Sequence, residues 1–210
     1  KEVLKSIKPD QMIIKLVQDE LVNILGAENN EKETLKILSD AGTLIAKKVG
    51  DQISVNMGIV STEWDRIPLT KEMDTLNVPI HVDGFDAGVA VNIGNPHVVF
   101  FGKSIENINL NEIGPKIEQH HFFPNKTNVE FIEVVNSNTI KMKVWERGAG
   151  ITLACGSGAC AAVYAGWKKK LIEKNSEVQL EKGSLHINIV NNEAIMTGPA
   201  EISYNGYIHI

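Results

Sequence analysis

Only two cysteines occur in the 210 residues, Cys155 and Cys160, so no disulfide framework can staple the chain. Their i, i+5 spacing on a helix is also wrong for a mutual bridge. No second Cys/His pair stands where it would complete a zinc site with them. Positive charge is in deficit: 21 Lys and Arg against 26 Asp and Glu leave a net charge of −5. With only short basic clusters, no nucleic-acid partner is expected. Long apolar runs are missing, none approaching the ~20 residues of a membrane span. The residues from Lys1 onward do not read as a secretory signal, and a reducing, cytoplasmic setting is expected. What is present is ordinary for a globular chain: 43% hydrophobic and 22% charged residues, with length for one large domain or two small ones.

Against that background one stretch concentrates chemistry. Ile140 to Trp145 is β-like, the pattern breaks at Gly148 and Gly150, resumes from Ile151 to Ala154, and reaches Cys155. After Cys155 come Gly156, Ser157 and Gly158, then a small-residue apolar run from Ala159 to Gly166 that turns basic at Lys168. The change of period predicts strand, tight turn and buried helix, with cations in the last turn where the helix dipole favours them. The first amides of a helix have no intrahelical acceptor, so Gly156, Ser157 and Gly158 form a cradle for a carboxylate or phosphate. Cys155 stands at its mouth, where the same field is expected to pull the thiol below its usual value of ~8.5. Cys160 lies five residues on, about 500° around the helix and so roughly 140° away from Cys155, which makes it a core residue.

Three readings of this stretch compete. It is a glycine-rich turn with two buried cysteines; or a loose dinucleotide fingerprint over Gly156, Gly158 and Ala161, with Glu173 or Glu177 as the ribose acid; or an acid/base or nucleophilic cysteine acting on a substrate carboxylate. The fingerprint is weak because the flanking chain does not alternate strands with helices as a parallel sheet requires.

Along the rest of the chain, Met12 to Val17 is strand-like and residues 26–33 are a polar loop. Residues 34–38, 42–46 and 52–57 alternate at period two as a β-meander. Residues 58–77 read as a connection. Strands are expected at Val78 to Val82, Asp86 to Ile93 and Val98 to Phe101, a helix over Leu110 to His120, and strands again from Val129 to Val135 and Ile140 to Trp145. After the central helix, further strands follow at 178–180, 185–190, 194–196 and 201–210. Many short antiparallel strands with few helices give an α+β class.

Several blocks then combine: Gly94-Asn95-Pro96-His97, Thr127-Asn128-Val129-Glu130-Phe131 after Phe123, Trp145-Glu146-Arg147-Gly148-Ala149-Gly150, Ala154-Cys155-Gly156-Ser157-Gly158-Ala159-Cys160, and Thr197-Gly198-Pro199-Ala200. In order and spacing they resemble the diaminopimelate epimerases, from about Leu35 to the C-terminus. The resemblance implies an enzyme without cofactor or metal that inverts one α-carbon, interconverting LL- and meso-2,6-diaminopimelate for lysine and peptidoglycan precursors. It implies two similar lobes, each a central helix wrapped by mostly antiparallel strands, with the active site in the cleft between them. These would be residues 1–57, joined by strand 201–210, and residues 58–200. Two cysteines, one per lobe, would face the α-carbon, one taking a proton as thiolate and the other giving one as thiol. Cys155 would be the second-lobe cysteine, with the amides of Gly156 and Ser157 on the reacting carboxylate. Asn95, Asn128 and Arg147 would hold the remote amino-acid end, Arg147 through its bidentate fork. Gln11 would join the substrate site from the first lobe. His97 and Glu146 would assist the thiol pair, and a homodimer is implied. Outside the resemblance, His97 reads as a turn cap, Glu146 and Arg147 as a solvated ion pair, and Asn95 and Asn128 as turn residues bonded to their own backbone.

Two departures stand out. The family's first lobe carries its own cysteine in a Cys-Gly-Asn-Gly type motif, and no cysteine precedes Cys155 here. Asp10 to Ile14 resembles a first-lobe strand, while Leu21 to Leu25 resembles chain beyond that motif. The Glu20–Leu21 junction is therefore where a missing segment is expected, with another before Lys1. Ile151 also replaces the usual Glu of Gly-Glu-Thr and is read as drift. The rivals are a non-catalytic relative that binds an amino acid without turning it over, and a proline-type racemase or isomerase of the same architecture.

Overall fold

The computed structural model describes residues 34–39 and 42–200. Gln11, the strand expected at 12–17, the loop at 26–33 and the strand expected at 201–210 lie outside the described residues. The meander is present as β1 (Thr34–Ser39), β2 (Gly42–Val49) and β3 (Gln52–Ile59). There follow β4 (Val89–Asn92), β5 (Pro96–Gly102), α1 (Leu110–Glu118), β6 (Asn128–Asn136), β7 (Thr139–Glu146) and the two-residue β8 (Gly150–Ile151). The chain continues with α2 (Gly156–Lys168), β9 (Asn175–Leu180), β10 (Gly183–Val190) and β11 (Glu193–Pro199).

The strands form one sheet in the order β1-β2-β3-β11-β10-β9-β7-β6-β5-β4, with β8 attached to β7. Among the described strands only β5 with β6 and β7 with β9 run parallel; the other described pairs are antiparallel, which agrees with the α+β reading. Helix α2 lies along one face of this sheet, against strands from β4 to β11. It is buried nearly all round, because Ala159, Ala161, Ala162 and Ala165 let the strands approach closely. With Val99, Phe101, Ile140, Met142, Val144 and Ile187 they form the main core. A second core on the opposite face seats α1 over Val98, Phe100, Val129 and Phe131, where the Phe100 and Phe131 rings stack at 5.3 Å.

Three runs fall short of the strands that the alternation suggests. Val78 to Val82 makes no ladder: Val78 forms an isolated bridge to Gly88, and Pro79 has no N–H to continue it. β4 begins at Val89 rather than at Asp86, because its ladder with β5 starts at Val89 opposite Val99 and Phe85 makes only an isolated bridge to Gly102. The run Ile151 to Ala154 contributes only Ile151 to a strand before the chain leaves the sheet.

Period two places the site. In β5, Val98 and Phe100 face α1, so His97 and Val99 face α2. In β6, Val129 and Phe131 likewise face α1, putting Glu130 beside Ile132 on the α2 face. In β7, Met142 and Val144 face α2, and Glu146 follows on that face. Since β5 and β6 begin where β7 ends, with His97 opposite Asn128 and Val129 opposite Trp145, three polar side chains collect at one end of the sheet, beside the start of α2.

Candidate active site

Cys155 is the N-cap of α2, in extended conformation (φ −141°, ψ 111°). Its Sγ accepts a hydrogen bond from the Gly158 N–H at 3.3 Å and lies 3.6 Å from the Ser157 hydroxyl. Ala159 N–H bonds the Cys155 carbonyl at 3.0 Å. The amides of Gly156 and Ser157 have no acceptor among the described residues, so the cradle narrows from three glycine-rich donors to two. This is the usual condition of the first amides of a helix, and it points them at the space beside the thiol.

The thiol itself departs from the sequence expectation. Cys155 is only 3% exposed, and its pKa is raised well above the ordinary cysteine value rather than lowered. Burial is the largest cause, followed by the negative charges of Glu146 and Glu130; the Ser157 and Gly158 hydrogen bonds oppose them and lose. A helix-end field of half a charge is outweighed by desolvation and two carboxylates projecting from β6 and β7. Cys155 therefore rests as a thiol. Cys160 is fully buried and burial pushes its thiol up too, in keeping with a core residue.

His97 is fully buried on β5. Its Nδ1 lies 2.7 Å from Glu130 Oε1 and its Nε2 lies 2.9 Å from Asn95 Oδ1; it is not a turn cap. The turn before it is made instead by Asn92, whose Oδ1 accepts from the Gly94 N–H at 2.8 Å, with Gly94 at φ 95° where only glycine is unstrained. Glu146 is buried at 3% exposure and accepts a short hydrogen bond from the Thr152 hydroxyl, so it is not a solvated side chain.

Asn128, almost fully buried, donates from Nδ2 to the Pro96 carbonyl at 3.0 Å and accepts at Oδ1 from the Arg147 N–H at 2.9 Å. Its side chain thus ties the start of β5 to the turn after β7, across strands rather than within its own turn. The half-buried Arg147 reaches the Asn125 carbonyl with Nη1 at 3.4 Å. Below this turn, Glu118 of α1 accepts from Trp145 Nε1 at 2.8 Å and from the Gly148 N–H at 3.0 Å, and pairs with Lys126 at 3.4 Å. Burial acts to raise the Glu118 carboxyl, but these bonds outweigh it and hold it below its usual range.

Of the residues singled out from sequence, Asn95, His97, Asn128, Glu146, Arg147, Cys155, Gly156 and Ser157 gather at this one end of the sheet. Only Gln11 lies outside the described residues. The residue that sequence reasoning missed is Glu130, fully buried between His97 and α2. Its signal was a carboxylate on the inward side of a strand whose neighbours are apolar. The dinucleotide reading does not survive, because α2 is preceded by the two-residue antiparallel β8 and not by a parallel strand. Among the described residues no group of three or more His, Cys, Asp or Glu could hold a metal ion, and no helix is long and apolar enough to cross a membrane.

Comparison with known proteins settles the lineage. A sequence model of the family described as diaminopimelate epimerase matches residues 89–203. The diaminopimelate epimerase of Pelagibacter ubique (strain HTCC1062) is 41% identical over 186 residues, covering 85% of this chain and 68% of that protein. The chain belongs to the diaminopimelate epimerase family. Another member, from Wolbachia sp. subsp. Drosophila simulans (strain wRi), is 48% identical over 153 residues, covering 72% of this chain and 58% of that protein. This family member thus spans between 58% and 68% of the length of these two relatives. The fold is shared more widely: a phenazine biosynthesis PhzF family protein of Enterococcus faecalis superposes with a TM-score of 0.61 at 15% identity, over 95% of this chain and 72% of that one.

Proposed function

We propose that the chain epimerises LL-2,6-diaminopimelate to the meso form by cofactor-independent proton transfer, serving lysine and peptidoglycan precursor synthesis. The observation that carries this reading is Cys155 at the N-cap of α2, its thiol beside the two unbonded amides of Gly156 and Ser157. A substrate carboxylate bound by those amides brings its α-carbon next to Sγ. Developing negative charge on that carboxylate in the transition state is stabilised by donors that are already in place.

In this mechanism a base on the opposite face of the α-carbon removes the α-proton. Cys155, resting as thiol, delivers its own proton to the near face, leaving the substrate inverted and the proton count unchanged. The Cys155 thiolate so formed is held by the Gly158 N–H and the Ser157 hydroxyl. His97 and Glu146 assist the thiol, while Asn95, Asn128 and Arg147 fix the remote amino-acid end. Asn128 acts through the Arg147 backbone that it holds.

The opposing base belongs to a first lobe comprising residues 1–57 with 201–210, facing the lobe of residues 58–200. Gln11 joins the substrate site from there, and the first cysteine belongs to the segment expected at Glu20–Leu21. A cytoplasmic homodimer completes this reading.

The test is conversion of LL- to meso-diaminopimelate followed by chiral chromatography, with Cys155→Ala as control. Conversion abolished by the substitution supports the reading. Saturable binding of the substrate without conversion would instead favour a non-catalytic amino-acid binder.

A further inference from the structure

Glu130 is a poor choice for a strand interior. It is fully buried, its Oε1 bonds His97 at 2.7 Å, and its Oε2 has no hydrogen-bond partner among the described residues. A buried carboxyl with one bare oxygen is costly to keep, and an apolar side chain of similar volume would fill the position at lower cost. Its surroundings show what it faces. A Cβ added at Gly158 would lie 2.8 Å from Glu130 Oε1 and 3.2 Å from Cys155 Sγ. The carboxyl oxygen and the thiol sulfur therefore flank the same spot in the first turn of α2, a closeness that only glycine at 158 permits.

We infer that Glu130 is a positioning residue for the reaction: it locks the His97 ring through Nδ1 and, from beneath the first turn of α2, sets a carboxyl against the Cys155 thiol. With Nδ1 against the Glu130 carboxyl and Nε2 against Asn95, the imidazole cannot turn without losing both contacts, which fixes the orientation of its ring. The groups facing Cys155 are the carboxyls of Glu130 from β6 and Glu146 from β7, opposed by the Ser157 hydroxyl and the Gly158 N–H from α2. Glu130 differs from Glu146 in being tied to His97, so one side chain links the histidine to the thiol.

The kinetic part of this inference rests on the epimerase reading, but its first test does not. Thiolate formation at Cys155 can be followed by absorbance near 240 nm as the difference between the protein and its Cys155→Ser variant. In Glu130→Gln, which keeps the acceptor for His97 and removes the charge, the Cys155 titration is expected to move to lower pH by about 1 pH unit or more. In Glu130→Asp, which keeps the charge on a shorter arm, it is expected to stay at the wild-type position. With diaminopimelate as substrate, the pH profile of kcat/KM should move with the titration in Glu130→Gln. In Glu130→Asp, kcat should fall roughly 10-fold or more at little-changed KM, because the histidine loses its support. An unchanged Cys155 titration in Glu130→Gln, an equal shift in Glu130→Asp, or wild-type kcat in Glu130→Asp would each overturn the inference. If no protein epimerises, it is the functional reading that fails, and the titration still decides the role of Glu130.

Discussion

Cys155 caps α2 with its thiol buried between the first turn of the helix and the carboxyls of Glu130 and Glu146. The glycine-rich junction and the change from strand to helix period correctly give an N-cap cysteine beside free amides. The direction of its pKa does not follow from them, because it depends on two carboxylates from strands 25 and 9 positions earlier, at Glu130 and Glu146. Glu146 stood beside Arg147 in its block, whereas Glu130 stood in its block between the apolar Val129 and Phe131 with no charged neighbour to mark it. Its position on the α2 face becomes visible only once Val129 and Phe131 are seen to pack under α1. A prediction at this scale concerns Gly158. In Gly158→Ala the new methyl meets Glu130 Oε1 at 2.8 Å, and the carboxyl must shift within a close-packed core. Overpacking of this kind is expected to lower stability by about 1–3 kcal/mol, read as a fall in the urea midpoint. An unchanged midpoint would mean that Glu130 has room to withdraw.

At the scale of elements, the site depends on α1 as much as on α2. Helix α1 approaches β7 so closely that a Cβ at Gly114 would lie 2.4 Å from the Trp145 ring. Its last turn brings Glu118 under the turn that carries Glu146 and Arg147. Residue 148 has φ 74°, a conformation that glycine adopts without strain and whose N–H then points at the Glu118 carboxyl. The helix was legible in its periodicity from Leu110. The clamp was not, since Glu118 and Gly148 are 30 residues apart. Because the Glu118 carboxyl is held below its ordinary value of 4.5, its contribution to stability is complete above about pH 4.5 and is lost as pH falls through the lowered native value. Unfolding by urea at a series of pH values below 4.5 should show this loss in the wild type and a shallower one in Glu118→Gln. Equal slopes would show that the clamp is not ionic.

Across the whole molecule, sequence spacing gave the α+β class and most strands, but not their assembly into one sheet. The junction is β3 with β11, where Val55 lies opposite Met196 and Gln52 opposite Pro199. Pairing over so long a stretch of chain leaves no local trace, and it depends on which faces α2 covers. The result is a sheet whose β5, β6 and β7 ends, together with the start of α2, gather the side chains to which we assign one half of the proposed two-sided proton transfer. In that proposal Cys155 acts as the acid. This role is checked by early-time conversion of LL-diaminopimelate in heavy water, with deuterium located at the α-carbon of both product and recovered substrate. If a resting Cys155 thiol, exchanged with solvent, delivers the proton, deuterium appears in the meso product while the remaining LL substrate stays unlabelled, and Cys155→Ala forms no labelled product. Label accumulating first in recovered LL substrate, or a meso product that keeps its original proton, would contradict it.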